Sequence, residues 1–222
     1  MLRLGVTERG GAWYLRGMVQ YSLSHLTQGA RQEVLGPIQD DEALLLFALI
    51  RVTRVRRILE VGGLNGYSAT NFLAATGPEG RVYTVDLNPV QSVGENHIVI
   101  QKDASLLTSD DVGQSPLDLV FFDCHVLGAQ LALFWRLFGD HIITPDTYIA
   151  VHDTGLHPAK RSEHAYAISD GYVHQRSERE MVNMLHQAGY DAIPFHITGA
   201  TEPDLPFRHG VTLLRKFRPL DV

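Results

Sequence analysis

Short apolar segments alternate with longer amphipathic ones along most of the chain. Five of the short segments carry β-branched residues and end at glycines or acids, which is typical of buried parallel strands. In chain order they are RRILEVGG, RVYTVDLNP, HIVIQKDA, PLDLVFFDCH and TYIAVHDTG. The spacing therefore predicts five consecutive strands, each followed by a polar turn.

Helical periodicity fills the intervals between these strands. The segment beginning at Asp40, DDEALLLFALIRVTRV, is acidic at its start and basic at its end, as the helix dipole favours. Further helices are predicted in NGYSATNFLAAT, ALFWRLF and SEREMVNMLHQAG, and two late strands in DAIPFHI and HGVTLLRKF. This alternation predicts an α/β, Rossmann-like three-layer sandwich, with a mostly parallel sheet that ends in an antiparallel strand pair.

Length favours one domain over residues 1–222. Residues 1–35 are interpreted as an N-terminal lead-in that caps the substrate site, and residues 155–175 as a substrate loop, because long loops over an α/β crevice often have this role.

Charge and cysteine content narrow the function classes. The formal net charge of −6 predicts no broad basic face, which disfavours sequence-independent nucleic-acid binding. Cys124 is the only cysteine, so no intrachain disulfide forms, as expected in a reducing compartment. No segment has the apolar length of a membrane span or a signal peptide. We therefore expect a cytoplasmic protein with no membrane partner.

Acidic residues stand at or near the ends of all five predicted strands: Glu60, Asp86, Asp103, Asp123 and Asp153. In open parallel sheets, ligands bind in the crevice beyond the carboxyl ends of the strands. Turn or cap roles explain one or two such acids and explain five poorly. The row therefore predicts a ligand site along this edge.

The first strand is followed by glycines at 62, 63 and 66 in the spacing E-x-G-x-x-x-G. This is neither the G-x-G-x-x-G dinucleotide fingerprint nor a P-loop. Glycines at a strand-to-helix turn permit close backbone approach to a ligand. Glu60 beside them suits an amine-bearing ligand better than a phosphate.

LEVGGLNGYSA resembles motif I of the class I S-adenosylmethionine (SAM) dependent methyltransferases, and VYTVDLNP, QKDA and LVFFDCH resemble their next three motifs. The resemblance runs from about residue 36 to residue 154, and more weakly to residue 216. It implies SAM as cofactor. The backbone at Gly62, Gly63 and Gly66 would approach the methionine moiety, Glu60 would face its amino group, and Ser68 would bind its carboxylate.

The same resemblance assigns roles to the later acids. Asp86 would accept hydrogen bonds from both ribose hydroxyls, and Asp103 would accept one from the adenine amino group, with the Ala104 backbone nearby. Asp123, in the fourth motif, would help to bind SAM, and it is also one of the implied metal ligands described below.

The segment from GPIQDDEA to NGYSA, followed by DCH and VHDTG, is similar to catechol-type and antibiotic-sugar O-methyltransferases. Many of these hold a divalent cation between the ends of strands four and five. The matching positions are Asp123, Asp153 and either His152 or Thr154. The resemblance thus implies Mg²⁺ or another divalent cation, which would lower the pKa of a substrate hydroxyl and orient it.

This chain departs from the catechol-type pattern at two positions. Thr154 stands where those enzymes have Asn, and Val126 stands where they have a general-base Lys. His125 and His152 are therefore the candidate catalytic bases, since an imidazole pKa near neutrality suits proton abstraction. His152 as a ligand would shift the preference from Mg²⁺ toward a transition metal.

The leading hypothesis is a SAM-dependent O-methyltransferase that acts on a small natural-product or sugar-like molecule, as a homo-oligomer, most simply a dimer. N-methylation or another transfer on the same fold is the first alternative. A nicotinamide-dependent oxidoreductase, which the glycine spacing disfavours, and a non-enzymatic cofactor-binding protein are the others.

Overall fold

The computed structural model describes residue 23 and residues 38–155, 174–195 and 210–216. Nearly all of the N-terminal lead-in, residues 1–35, and most of the expected substrate loop, residues 155–175, lie outside these ranges. Their expected roles therefore stay predictions.

Four helices and seven strands follow one another in the described residues, with two short 3₁₀ turns at Ala104–Leu106 and Asp110–Val112. The helices are α1 (Asp40–Thr53), α2 (Tyr67–Thr76), α3 (Leu127–Gly139) and α4 (His174–Gln187). The strands are β1 (Arg57–Val61), β2 (Arg81–Asp86), β3 (His97–Gln101), β4 (Leu119–Phe122), β5 (Tyr148–Val151), β6 (Tyr190–Phe195) and β7 (Val211–Lys216).

All seven strands form one sheet in the order β3-β2-β1-β4-β5-β7-β6. The first five are parallel, with β1 between β2 and β4. β7 runs antiparallel to both β5 and β6. The strand order runs outward from β1 in both directions, to β2 and β3 on one side and to β4 and β5 on the other. The carboxyl ends of β1 and β4 therefore form a topological switch point.

Two buried apolar clusters cover the two faces of the sheet. Alternate strand residues divide between them, as strand geometry requires: in β1, Ile58 packs in the cluster with α1 and α2, whereas Leu59 and Val61 pack in the cluster with α3 and α4. The fold is therefore a three-layer sandwich, with the sheet between two layers of helices. The predicted Rossmann-like sandwich with an antiparallel end pair is confirmed.

Candidate active site and metal centre

The loop from β1 to α2 requires glycine at its first position. Gly62 has φ of +96°, and a Cβ there would stand 2.6 Å from the carbonyl oxygen of Asp123. Gly66 is also left-handed and is the N-cap of α2. The loop thus packs directly on the backbone that follows β4, which brings the predicted cofactor loop and the predicted metal site together.

Glu60 is fully buried beneath this loop. Its carboxylate accepts hydrogen bonds from Ser68 and, at 2.6 Å, from Thr84. Thr84 in turn contacts Nε2 of His97 at 2.7 Å, while Nδ1 of His97 accepts from the Val93 amide. Burial raises the pKa of Glu60 to about 8, against the effect of its two hydroxyl donors. Glu60 and Ser68 therefore bind each other in this structure, and their contacts to the methionine moiety stay predictions.

Asp86, the last residue of β2, holds the same loop from the other side. Its Oδ2 accepts from the amides of Gly63 at 2.9 Å and Leu64 at 3.3 Å, and its Oδ1 accepts from the Asn88 amide. The carboxylate lies at the carboxyl edge of the sheet, where the ribose role was predicted.

Asp103 is the N-cap of the first 3₁₀ turn, which begins at Ala104. Hydrogen bonds from the Ser105 hydroxyl and amide lower the pKa of Asp103 below its usual value. The structure thus gives Asp103 a capping role, while the adenine contact stays a prediction.

A compact acid–histidine cluster lies directly after β4 and β5. Ligand atoms of Asp123, His152 and Asp153 all lie within 4.8 Å of one another. β5 ends at Val151 and Asp153 adopts φ of +55°, so the alternation of a strand no longer separates residues 152 and 153. The side chains of His152 and Asp153 can therefore point toward the same metal ion.

His152 is enclosed between two carboxylates. Its Nδ1 lies 2.9 Å from Oδ1 of Asp123, and its Nε2 lies 3.0 Å from Oε2 of Glu42 in α1. Burial lowers the pKa of His152, but the charges of Asp123 and Asp153 and the hydrogen bonds outweigh it and raise the pKa well above its usual value. Only 1% of the surface of His152 is exposed, and its assignment as a base or as a metal ligand stays a prediction.

His125 approaches the same aspartates from the opposite side. Its Nε2 lies 3.5 Å from Asp123 and 3.6 Å from Asp153, and its Nδ1 lies 3.0 Å from Oε1 of Glu178 in α4. Burial lowers the pKa of His125, but the hydrogen bond to Glu178 and the nearby carboxylates raise it above its usual value. His125 is therefore more basic than a free imidazole.

Glu42 and Glu178 are site residues that the sequence interpretation missed. Glu42 also accepts from the amides of Gln39 at 2.9 Å and Gly210 at 2.5 Å, which fixes its carboxylate. Each glutamate lies on the apolar stripe of its helix, Glu42 with Leu46 and Glu178 with Met181. An acid on the buried stripe of an amphipathic helix was the signal that would have found them.

Thr154, the alternative metal ligand, contacts β7 instead. Its hydroxyl accepts from Thr212 at 2.8 Å and lies 3.4 Å from the carbonyl oxygen of Gly210. Of the two options that the sequence left open, the structure brings His152 to the aspartates. A buried pair of carboxylates with imidazole nitrogens beside it fits a divalent cation.

Comparisons with known proteins agree with this geometry. Residues 19–112 match the family model described as O-methyltransferase. That segment includes α1, the glycine loop, Asp86 and Asp103. No curated protein sequence matches the chain significantly.

Solved structures share the fold over most of the chain. The O-methyltransferase TomG from Streptomyces achromogenes, solved with SAM, is 20% identical with a TM-score of 0.60, covering 90% of this chain and 92% of its own. An O-methyltransferase from Bacillus cereus, solved with SAH, is 16% identical with a TM-score of 0.58, covering 87% and 91%. A putative caffeoyl-CoA O-methyltransferase from Staphylococcus aureus is 14% identical with a TM-score of 0.60, covering 88% and 90%.

The chain therefore shares the fold of these solved O-methyltransferase structures, and its residues 19–112 match the O-methyltransferase family model. The resemblance inferred from the four motifs is confirmed at this level.

Proposed function

We propose that this protein is a SAM-dependent O-methyltransferase that methylates a hydroxyl group of a small molecule with the help of a divalent cation. The observation that carries the proposal is the convergence of the family-matched glycine loop with the aspartates after β4 and β5. That SAM or SAH accompanies similar structures from Streptomyces achromogenes and Bacillus cereus supports this cofactor.

The cofactor-binding residues would contact different parts of SAM. Gly62 and Gly66 let the loop backbone approach the methionine moiety, because a side chain at Gly62 would meet Asp123. Asp86 would exchange its loop amides for the ribose hydroxyls, and Asp103 would accept from the adenine amino group. SAM supplies the electrophilic methyl group, so the protein has to align and deprotonate the acceptor hydroxyl.

Asp123, His152 and Asp153 would hold the cation beside this donor. When bound, a divalent cation lowers the pKa of the substrate hydroxyl. Asp123 contributes to both parts of the site, since its backbone touches the glycine loop while its carboxylate faces His152. His125 lies next to both aspartates, so it would either take up the hydroxyl proton or bind the cation.

A natural-product or sugar-like acceptor is the substrate class we propose. The shared fold with TomG, an O-methyltransferase involved in tomaymycin synthesis, supports it. Among the described residues, no helix is long and apolar enough to cross a membrane. Cytoplasmic location, supported by the single free thiol of Cys124, and assembly as a dimer are part of the same proposal.

Calorimetry with SAM and SAH tests the cofactor assignment directly. We expect 1:1 binding to the intact protein, loss of binding in Asp86→Ala, and weakened binding in Asp86→Asn, which keeps an acceptor for the loop amides. Glu79→Ala, at an exposed position of the α2–β2 turn, is the control. Binding of NADH, or unchanged SAH affinity in Asp86→Ala, would contradict the proposal.

A panel of hydroxylated and amine acceptors with labelled SAM then tests the reaction. Label transferred to oxygen is expected, and transfer to amines alone would favour N-methylation.

A further inference from the structure

Two histidine–glutamate pairs face the aspartates after β4 and β5 from opposite sides. The pairs are His125 with Glu178 and His152 with Glu42, and each joins residues from different elements of the fold. Glu178 is fully buried and Glu42 nearly so. Burying a carboxylate is unfavourable unless a specific partner compensates, and in each pair the histidine is such a partner.

Each glutamate fixes which imidazole nitrogen faces the aspartates. The contact between Nδ1 of His125 and Glu178, 3.0 Å, directs Nε2 toward Asp123 and Asp153. For His152 the arrangement is reversed: Nε2 contacts Glu42 at 3.0 Å. Its Nδ1 lies 2.9 Å from Asp123 and 3.7 Å from Asp153.

Metal-ligating histidines characteristically donate their second N–H to a carboxylate, which sets the tautomer and raises the basicity of the ligating nitrogen. Two ligand atoms bound about 2.1 Å from one ion at a tetrahedral angle lie about 3.4 Å apart. The distances of 3.5 and 3.6 Å from Nε2 of His125 to the two aspartates are close to this separation. Hydrogen bonds alone would favour shorter contacts.

We propose that His125 and His152, each oriented by a buried glutamate, join Asp123 and Asp153 to bind a borderline transition-metal dication of the Zn²⁺ or Co²⁺ kind, in preference to Mg²⁺. The proposal deepens the metal part of the proposed function and rests on it. Nitrogen ligands carry the selectivity, because Mg²⁺ prefers six oxygens whereas Zn²⁺ and Co²⁺ accept imidazole readily. Glu42 and Glu178 are positioning residues.

The test measures metal binding without turnover. Chelator-treated protein is titrated with Co²⁺ and followed by visible absorption, and then with Zn²⁺ as competitor. We expect one Co²⁺ per chain with an intense visible band, displacement by one equivalent of Zn²⁺, and no displacement by millimolar Mg²⁺.

Variants separate ligands from positioning residues. His125→Asn should weaken Zn²⁺ binding and change the Co²⁺ spectrum. Glu178→Gln should weaken Zn²⁺ binding about 10- to 100-fold, with partial recovery in Glu178→Asp. His186→Asn and Glu180→Gln, both in α4 with His186 contacting the Tyr190 carbonyl, are matched controls that should bind like the parent. Thermal melting identifies any variant that fails to fold. If one does, the Zn²⁺ affinity of the isosteric variant Glu178→Gln decides whether the proposal holds.

SAH calorimetry on the same metal-free protein keeps the two proposals distinguishable. If SAH binds but Zn²⁺ and Co²⁺ do not, or if Mg²⁺ competes equally and His125→Asn is silent, this inference is overturned and the methyltransferase proposal stands. If metal binds as expected but SAH does not, the metal centre stands and the methyltransferase proposal fails.

Discussion

At the residue scale, two positions of the candidate site are tightly constrained by their immediate surroundings. Gly62 combines a left-handed φ with close approach to the Asp123 carbonyl, and Glu60 is a buried carboxyl with two hydroxyl donors. Both were singled out from sequence as cofactor residues. Both residues also contribute to the stability of the fold, and this contribution can be measured by unfolding experiments without any ligand.

Replacing Gly62 by alanine should destabilise the protein strongly. The left-handed φ is strained for alanine by about 1–3 kcal/mol, and its Cβ would displace the backbone after β4. We expect a loss of about 2 kcal/mol or more in urea unfolding. Gly128→Ala in α3 is the control, because a Cβ there meets nothing within 4 Å. Equal stability of the two variants would contradict this account of the loop.

Glu60 should make stability fall as pH rises. Burial raises its folded-state pKa to about 8, whereas the unfolded chain has a value near that of free Glu, about 4.3. Between these values the unfolded state has lost the proton and the folded state retains it, so the free energy of unfolding decreases by at most about 1.4 kcal/mol per pH unit.

Urea unfolding of the parent and Glu60→Gln from pH 5 to pH 8 checks this. The variant should gain stability relative to the parent as pH rises. Glu79→Gln, whose side chain is 78% exposed, should follow the parent at every pH. Parallel curves for the parent and Glu60→Gln would show that Glu60 does not titrate in this range.

At the element scale, the site exists because β1 and β4 are neighbours. Their carboxyl ends carry the glycine loop and Asp123, while their amino ends are joined by Asp118. Its Oδ2 accepts from the amides of Arg56 at 2.8 Å and Arg57 at 2.9 Å. The strand pairing that builds the crevice is thus held at the far end by one carboxylate.

Asp118→Ala should lower the free energy of unfolding by about 1–3 kcal/mol, because two backbone donors lose a charged acceptor. Asp146→Ala is the matched control: its ion pair with Arg215, 3.4 Å, lies between half-exposed side chains and is worth about 1 kcal/mol or less. Chemical denaturation of both variants gives the comparison. A larger loss in Asp146→Ala would contradict the role assigned to Asp118.

At the scale of the whole molecule, cofactor binding should stabilise the fold, because the site draws on β1, β2, β4 and β5 together. A ligand that binds only the folded state adds about 2.7 kcal/mol when its concentration is 100 times its Kd. We expect SAH to raise the thermal midpoint of the parent and to leave Asp86→Ala unchanged. A midpoint that does not respond to saturating SAH would count against the cofactor assignment.

Much of this molecule was determined by its sequence alone. Apolar periodicity, β-branched content and glycine positions are local properties, so they determined the helices, the strands and the class of fold. The spacing of the glycine loop excluded dinucleotide and P-loop sites. The position of Asp86, Asp123 and Asp153 after strands determined which edge of the sheet carries the site.

Only the tertiary structure decided how the site is completed. Glu42 lies 110 positions before His152, and Glu178 lies 53 positions after His125. No local pattern specifies such pairings, because they follow from the docking of α1 and α4 on the sheet. The fold likewise directed Thr154 to β7 and His152 to the aspartates. Local periodicity determined the elements, whereas packing between distant elements decided which charged groups share one buried volume.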